Sequence, residues 1–241
     1  VDACIPPIAL IAAPDTVCVG SCINLMDQSS NSPTSWAWIL NGGNPTISSD
    51  QNPQNVCFLT TGTYTLELTT SNSYGVDATT KDIVVIDMPN AGTDAAISWC
   101  VSNEAQNLEL FLSPGVPLNG TWTNQNGTLA FTGSTFTPQL ATPGAYTIIY
   151  TLSNAICTDA MKFTIDIQAM PNAGLDGTLL ICDNDSPLDL VASVLLGNPD
   201  LNGSWSPVLN SGTSIFDPSI DPSGVYNYIV PPNLACGADS S

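Results

Sequence analysis

The chain has 241 residues and a formal charge of −19, because 21 Asp and Glu residues face only two lysines, with no arginine and no histidine. This charge excludes binding to nucleic acid or anionic membranes by counterion release, and the lack of histidine excludes Ser-His-Asp and Cys-His catalysis. No stretch reaches the roughly 18–20 apolar residues of a membrane span, so we expect no enzyme, no nucleic-acid partner and no direct membrane insertion.

Helix signals are nearly absent along the chain. Short runs rich in Val, Ile, Thr, Tyr and Phe alternate instead with clusters of Gly, Pro, Asn and Ser. This spacing is typical of an all-β sandwich protein. The predicted strands, in chain order, are Ile8–Ala12, Ile23–Gln28, Ser35–Leu40, Thr63–Asn72, Lys81–Asp87, Thr147–Leu152, Met161–Ile167 and Val225–Val230.

The second and third parts of the chain repeat each other. Pro89–Asp94 returns as Pro171–Asp176, and each copy reaches a cysteine eleven residues after its proline. Both copies share the motifs Asn119–Trp122 and Asn202–Trp205, Phe136–Pro138 and Phe216–Pro218, Gly144–Tyr146 and Gly224–Tyr226, and a second cysteine, Cys157 or Cys236. A repeat of roughly 80 residues predicts three small domains rather than one large one.

The predicted boundaries follow from these motifs. We expect residues 1–5 to be a strand that completes the preceding unit, and three β-sandwich domains at 6–88, 89–170 and 171–241. Prolines directly after strands make the joints between domains stiff. The expected architecture is therefore an extended rod of three tandem sandwiches.

The third domain ends before its last strand. After Cys157 the first copy continues into the predicted strand Met161–Ile167, whereas only five residues follow Cys236. Counted from the cysteines, the first five residues would fall where Phe163–Ile167 stand. We therefore expect an assembly strand made of Val1, Asp2, Ala3, Cys4 and Ile5. It would join copies of the chain head to tail, or mark one period of a longer covalent array.

Eight cysteines predict structural disulfides and an oxidising, extracellular location. The matched spacing favours Cys100–Cys157 and Cys182–Cys236, one bridge per domain. Four cysteines remain for the first domain, and three pairings of them are open. Adjacent strands favour Cys22–Cys57, which leaves Cys4–Cys18; a zinc site at Cys18, Cys22 and Cys57 is the alternative.

The first domain resembles the PKD domain, an Ig-like β-sandwich. The resemblance covers roughly residues 5–87 and rests on Pro33–Trp38, Gln51–Pro53 and Gly62–Asn72. One motif departs from the family, because its Trp-Asp-Phe-Gly-Asp-Gly run reads Trp38–Gly43 here and lacks both aspartates. Any calcium or turn role of those aspartates is not transferred. The resemblance implies an Ig-like sandwich for the first domain, and together with the repeat we expect three tandem Ig-like β-sandwich domains.

Residues 89–241 resemble the Pro-Asn-Ala-Gly repeats of very large surface adhesins from gliding bacteria. This resemblance implies an extracellular or cell-surface protein with an adhesive or filamentous role, and it identifies no ligand. The predicted function is a structural subunit or repeat of a surface filament or adhesin stalk. The alternative is a polysaccharide-binding module or a spacer region of a secreted multidomain protein.

Few residues are candidates for a chemical site. Asp- and Asn-rich loops can supply the oxygen ligands that calcium prefers, so calcium is the one cofactor we consider. Trp99 has no aromatic counterpart in the third domain and is a candidate for stacking on a surface polysaccharide. Asp15–Val17 resembles a bacterial O-glycosylation motif, which makes Thr16 a candidate. The candidate calcium ligands are Asp94, Asp176, Asp183 and Asp185.

Paired carboxylates could also serve a glycosidase. The densest acidic groups are Asp183–Asp185 and the pair Asp217 and Asp221. Asp and Asn in turns commonly accept hydrogen bonds from their own backbone. We therefore interpret these acids as solvated turn residues.

Overall fold

The computed structural model describes residues 4–212 and 214–241. Nearly all of its regular structure is β, which confirms the predicted all-β class. The chain divides into two compact units. One contains the chain up to Ala91 together with Thr151–Ala160, and the other contains Gly92–Tyr150 and Met161–Ser241. We refer below to the first (6–88), second (89–170) and third (171–241) segments.

The first segment is a sandwich of two larger sheets, beside a two-stranded sheet of β1 and β4. One sheet has the strand order β2-β10-β9-β5-β7 and the other has the order β3-β8-β6. Its strands are β1 (Ile11–Ala12), β2 (Thr16–Cys18), β3 (Cys22–Ile23), β4 (Met26–Asp27), β5 (Ser35–Leu40), β6 (Gly43–Asn44), β7 (Ile47–Ser48), β8 (Val56–Phe58), β9 (Gly62–Asn72) and β10 (Gly75–Ile86).

Alternation of side chains produces the core of this sandwich. Along β9, Leu66 and Leu68 are buried while their neighbours face outward, as the period of two requires. They pack with Trp38 from β5, Phe58 from β8 and Ile83 from β10 in one apolar cluster. The sandwich is therefore stabilised by apolar burial.

The second segment repeats this plan with fewer strands. Its larger sheet has the order β11-β17-β16-β13, and a smaller sheet has the order β12-β15-β14. Its strands are β11 (Ala95–Cys100), β12 (Gln106–Asn107), β13 (Thr121–Asn124), β14 (Phe131–Thr132), β15 (Thr135–Phe136), β16 (Gly144–Asn154) and β17 (Cys157–Gln168), with 3₁₀ turns at Leu108–Phe111 and Pro138–Leu140.

The third segment has the least regular structure. Its sheets are β18-β20 and β19-β21-β22. Its elements are β18 (Leu188–Asp189), the short helix α1 (Leu190–Ser193), β19 (Ser204–Ser206), β20 (Ile215–Phe216), β21 (Asn227–Val230) and β22 (Asp239–Ser240). Asp189 caps α1 by accepting hydrogen bonds from the N–H groups of Val191 and Ala192.

Two repeated motifs of the sequence have structural explanations. The tyrosine of each Gly-x-Tyr motif donates its hydroxyl hydrogen bond to a carbonyl four residues earlier, at Thr60, Thr142 or Pro222. This is the tyrosine corner of Ig-like sandwiches. In Asn-Gly-Thr/Ser-Trp, the glycine N–H donates to a buried tyrosine hydroxyl, from Gly120 to Tyr150 and from Gly203 to Tyr228.

We predict that Tyr228→Phe destabilises the third segment by about 1–3 kcal/mol, because it leaves the Gly203 N–H and the Asp200 carbonyl without their buried partner. Tyr228 is 2% exposed, so water does not replace the hydroxyl easily. Urea unfolding followed by tryptophan fluorescence measures the change. Tyr74→Phe, at a residue that is 52% exposed, is the control. Equal midpoints for the two variants would contradict the prediction.

Candidate assembly site

The tip of the β16–β17 hairpin is hydrogen-bonded to the linker between the first and second segments. The side-chain amide of Asn154 donates to the Asp87 carbonyl at 2.8 Å, and its Oδ1 accepts from the Cys157 N–H at 3.3 Å. Two residues beyond Cys157, the Asp159 carboxylate accepts from the Ala91 N–H at 2.7 Å. Cys157 forms a disulfide with Cys18.

The third segment has the same arrangement. Asn233 donates to the Ala169 carbonyl at 2.8 Å and accepts from the Cys236 N–H at 2.8 Å. Asp239 accepts from the Ala173 N–H at 2.8 Å. Cys236 forms a disulfide with Cys100. In both segments the hairpin cysteine therefore bonds to a cysteine of the segment before it.

The first segment shares this arrangement without the cysteine. Asn72 donates to the Ile5 carbonyl at 3.1 Å, and Asp77 accepts from the Ala9 N–H at 2.8 Å. Gly75 occupies the position of the hairpin cysteine. The linker carbonyls Ile5, Asp87 and Ala169 are spaced 82 residues apart, as are Cys18, Cys100 and Cys182. The first segment is thus a third copy in structure, which its sequence did not predict.

The structure corrects most of the predicted disulfides. Cys22–Cys57 is confirmed, since the two residues face each other in β3 and β8. Cys100–Cys157, Cys182–Cys236 and Cys4–Cys18 are wrong, and Cys4 and Cys182 are unbonded and exposed. The zinc alternative is wrong as well, because all three of its cysteines are in disulfides.

The length of β17 explains the error for Cys100 and Cys157. Cys100 lies opposite Gln168, at the end of β17, whereas Cys157 begins that strand. Eleven steps along a strand at about 3.3 Å each separate the two positions by roughly 36 Å. A disulfide needs Cα atoms within about 7 Å. Cys157 can therefore not pair with the first cysteine of its own segment.

In the first two segments, the strand that carries the first cysteine pairs in parallel with the last strand. Cys18 faces Ile86 in the β2–β10 pair, and Cys100 faces Gln168 in the β11–β17 pair. The next residue in each case donates its N–H to the carbonyl of the facing residue, at 2.9 Å and 3.0 Å. The register at this end of the sheet is therefore the same in both segments.

The corresponding stretch of the third segment, residues 177–182, is in no strand of the described structure. Leu179 and Leu180 are 41% and 100% exposed. The turn after Cys182 is nevertheless conserved between the segments of this chain, because Asp185 donates its N–H to the Cys182 carbonyl as Ser21 and Asn103 do to Cys18 and Cys100. Among the described residues, no strand pairs with this stretch.

The predicted assembly strand lies mostly outside the described residues, because Val1, Asp2 and Ala3 are not among them. Cys4 and Ile5 are exposed. Ile5 takes the linker position of Asp87 and Ala169, so by the 82-residue spacing residues 1–5 match 165–169. Counted from Cys157 and Cys236 instead, residues 1–5 match 163–167, two residues away, and this match stays a prediction.

The structure contradicts an exposed Trp99. The indole is 8% exposed and packs against Phe136 and Phe111, with ring centroids 5.9 Å and 5.6 Å away. The parallel pairing of β11 with β17 turns this side chain into the core. Trp99 therefore offers no free face for a sugar ring.

The four candidate calcium ligands have separate roles. Asp94 accepts from the Lys162 N–H, Asp185 accepts from the Cys182 N–H, and Asp176 accepts from the Ser241 hydroxyl. Asp183 is exposed. Within residues 4–212 and 214–241, no three His, Cys, Asp or Glu side chains are grouped as a metal site. Calcium binding stays a prediction.

Thr16, the candidate glycosylation site, lies half-buried in β2. Its neighbour Asp15 forms a salt bridge of 2.6 Å with Lys81, and this hydrogen-bonded ammonium lowers the pKa of the carboxyl group. It is the one salt bridge among the residues that the structure describes. Glycosylation of Thr16 also stays a prediction.

Asp221 is not the solvated turn residue that the sequence predicts. It is 3% exposed and accepts hydrogen bonds from the N–H groups of Asp217 and Ser211, at 2.9 Å and 3.1 Å. Burial alone would raise its pKa, but the backbone donors together outweigh burial and lower it. Asp221 is therefore a buried carboxylate that holds the backbone of this loop by hydrogen bonds. Asp217 belongs to the same loop and donates one of these bonds.

Comparison with known proteins identifies one family. Residues 6–85 match the family model of the PKD domain. This confirms the predicted resemblance for the first segment, while the resemblance of residues 89–241 to surface adhesins is not shown. No curated protein matches the sequence. PKD domains are typically structural or adhesive modules of extracellular proteins.

Three solved structures are similar to this chain at low sequence identity. A variant of titin domains I67–I69 is 14% identical with a TM-score of 0.38, covering 98% of this chain and 96% of that one. The insect immune protein hemolin is 12% identical with a TM-score of 0.33, at 67% and 47% coverage. Extracellular domains 3–5 of Drosophila OTK are 11% identical with a TM-score of 0.33, at 67% and 60%.

The helices of the described residues are all too short or too polar to span a membrane.

We predict that the double variant Cys100→Ser, Cys236→Ser loses about 2–4 kcal/mol of stability, because the disulfide closes a loop of 136 residues in the unfolded chain. The shift of the urea midpoint measures this loss. Cys182→Ser, at an unbonded cysteine, is the control and should leave the midpoint unchanged. A Cys100–Cys157 peptide in a non-reducing digest would refute the pairing.

The pKa of Asp221 gives a prediction for acid stability. Because its pKa in the folded state is below that in the unfolded chain, it stabilises the fold above about pH 4 and this contribution is lost as the pH falls further. Asp221→Asn should lower stability at pH 7, since its amide would face one of the two N–H donors. It should also reduce the loss of stability below pH 4, measured as urea midpoints from about pH 7 to 2.5. Asp183→Asn is the exposed control, and parallel pH profiles for Asp221→Asn and wild type would contradict the prediction.

Proposed function

We propose that this chain is a structural unit of an extracellular filament or adhesin stalk that continues head to tail. In this proposal, residues 1–5 of the next unit complete the sheet of the third segment. The unpaired stretch 177–182 is the observation that carries the proposal. The corresponding strands of the first and second segments, β2 and β11, are each paired with a last strand.

The last strand matters because it fills the core. In the second segment, Phe163, Ile165 and Ile167 of β17 are each at most 1% exposed. Phe163 packs on Trp122 with ring centroids 5.8 Å apart. Loss of such a strand would remove three large apolar side chains, each worth about 1.5–3 kcal/mol when fully buried.

In the described part of the third segment, β22 is only Asp239–Ser240 and contributes no counterpart of these three side chains. Trp205, the equivalent of Trp122, packs on Tyr228 at 5.0 Å, and its indole N–H is buried without a hydrogen-bond partner in the described structure. In the unpaired stretch 177–182, Leu180 is fully exposed. An unpaired edge with exposed apolar side chains favours the addition of a strand.

The first residues of the chain have the alternating pattern of the last strand of the second segment. Val1 and Ala3 match Ile165 and Ile167, which face the core of the second segment. Asp2 matches Asp166, which is only half-buried. The alternation of apolar and polar residues therefore suits the face that the third segment leaves open.

Electrostatics restrict how units can associate. Each unit has a formal charge of −19, so two units repel each other and ion pairs cannot hold them together. Strand pairing and apolar burial must supply the association energy. Salt screens the repulsion over about 10 Å at 0.1 M and about 3 Å at 1 M, so association should become stronger as salt is added.

The disulfides suit a mechanical role. Cys18–Cys157 and Cys100–Cys236 each bond the hairpin of one segment to the segment before it. Extension of the chain cannot separate these bonded positions without breaking a covalent bond. No comparable observation favours the polysaccharide-binding alternative, because Trp99 is buried.

We predict that Val1→Asp, Ala3→Asp abolishes assembly, because two added charges cannot enter the apolar face of the third segment. Sedimentation velocity and negative-stain microscopy at high salt measure the distribution of oligomers. The charge-matched control is Leu110→Asp, Leu129→Asp, at residues that are 81% and 90% exposed. The wild type and this control should form elongated oligomers and the test variant should stay at 25.1 kDa.

Oligomers of the test variant equal to those of the control would refute the donor strand. Monomers of all three proteins would refute head-to-tail assembly of this chain. The mass of native material after boiling in detergent and reductant separates the two forms of the proposal. A band at 25.1 kDa indicates separate subunits, and one of hundreds of kilodaltons indicates a continuous repeat chain.

A further inference from the structure

The two disulfides that link consecutive segments, which we call the internal junctions, join cysteines at equivalent positions. One cysteine ends the strand that is paired with the last strand, at Cys18 or Cys100, and the other lies at the hairpin tip of the next segment. Cys182 is the third member of the first series, in the same hydrogen-bonded turn, yet it is exposed and unbonded. The turn is therefore already arranged for a partner thiol.

The hairpin of the first segment cannot supply that thiol. Gly75 stands where the other hairpins have cysteine, and a Cβ atom at this position would lie 2.9 Å from the Cβ of Pro6. A second copy that docks its first segment onto the third segment would thus bring no hairpin cysteine. It would bring Cys4 instead.

The register of the sheet places Cys4 beside Cys182. The residues that face Cys18 and Cys100 are Ile86 and Gln168. Cys4 precedes Ile86 by the same 82 residues that separate Ile86 from Gln168. A donor strand that keeps this register therefore sets Cys4 directly opposite Cys182.

The internal junctions show that there is room for a sulfur atom at this point. Cys236 Sγ lies 3.5 Å from the Gln168 carbonyl while it is bonded to Cys100. Neighbouring strands are about 4.8 Å apart, which is within the Cα separation of about 4.4–6.8 Å that a disulfide requires. A thiol on the last strand can thus replace the thiol of the hairpin tip.

We infer that Cys4 of one copy forms a disulfide with Cys182 of the neighbouring copy, which makes the head-to-tail contact covalent. This inference rests on the proposed function. Every junction then contains two cysteines, either from the strand and the hairpin tip or from the strand and the donor strand. The two cysteines that the single chain leaves unbonded become partners.

The bond forms by thiol–disulfide exchange. A small disulfide such as oxidised glutathione first forms a mixed disulfide with one cysteine and releases one reduced thiol. The thiolate of the other cysteine then attacks the protein sulfur, and the second small thiol leaves. Two protein thiols are oxidised, one disulfide reagent is reduced to two thiols, and both protons pass to the released thiols.

The test uses the 241-residue chain with oxidised and reduced glutathione at high salt, followed by non-reducing gel electrophoresis. Wild type should give a ladder at multiples of 25.1 kDa that reductant removes. Cys4→Ser and Cys182→Ser should each remain at 25.1 kDa when incubated alone. An equal mixture of the two variants should give one further band at twice that mass, since one thiol of each kind is present.

The possible outcomes separate the inference from the proposed function. Dimers of either variant alone would show pairing between like cysteines and would overturn the inference. Elongated oligomers without a ladder would overturn the disulfide and leave the donor strand intact. Monomers under all conditions would overturn both. A peptic peptide that joins Cys4 to Cys182 from the mixed dimer would establish the bond directly.

Discussion

The parallel pairing between the cysteine-bearing strand and the last strand is the interaction on which the rest of the structure depends. It fixes Cys18 opposite Ile86 and Cys100 opposite Gln168, at the end of each sheet. That position is at the far end of β17 from the hairpin cysteine of the same segment. The hairpin cysteine can therefore reach only the preceding segment. Cys18–Cys157 and Cys100–Cys236 thus link consecutive segments, whereas Cys22–Cys57 lies within the first.

The composition leaves few other ways to hold the chain together. With two lysines against 21 acidic residues, ion pairs contribute little, and the described residues contain one salt bridge, on the surface. Acidic side chains act instead as acceptors for backbone N–H groups, as Asp159, Asp239 and Asp221 do. A carboxylate that accepts such hydrogen bonds helps to organise the backbone without a cation. Apolar cores and disulfides provide the remaining stability.

The three segments differ in how complete they are. The first and second segments close their sheets with β10 and β17, whereas the third has β22, a strand of two residues. The same turn follows the first cysteine in all three. The third segment thus retains the turn of the other two segments beside a stretch, 177–182, that is in no strand.

The sequence by itself determined the features that depend on local pattern. Alternating apolar residues located β5 at Ser35–Leu40 and most of β9, and the pairing of adjacent strands identified Cys22–Cys57. The repeated motifs also predicted how the second and third segments correspond, which their matching hairpin hydrogen bonds confirm. The tertiary structure alone decided the pairing of Cys100 and Cys157, the burial of Trp99 and the position of Ile5. Spacing along the chain does not show how strands pair or at which end of a sandwich a residue lies. The strand register decides both.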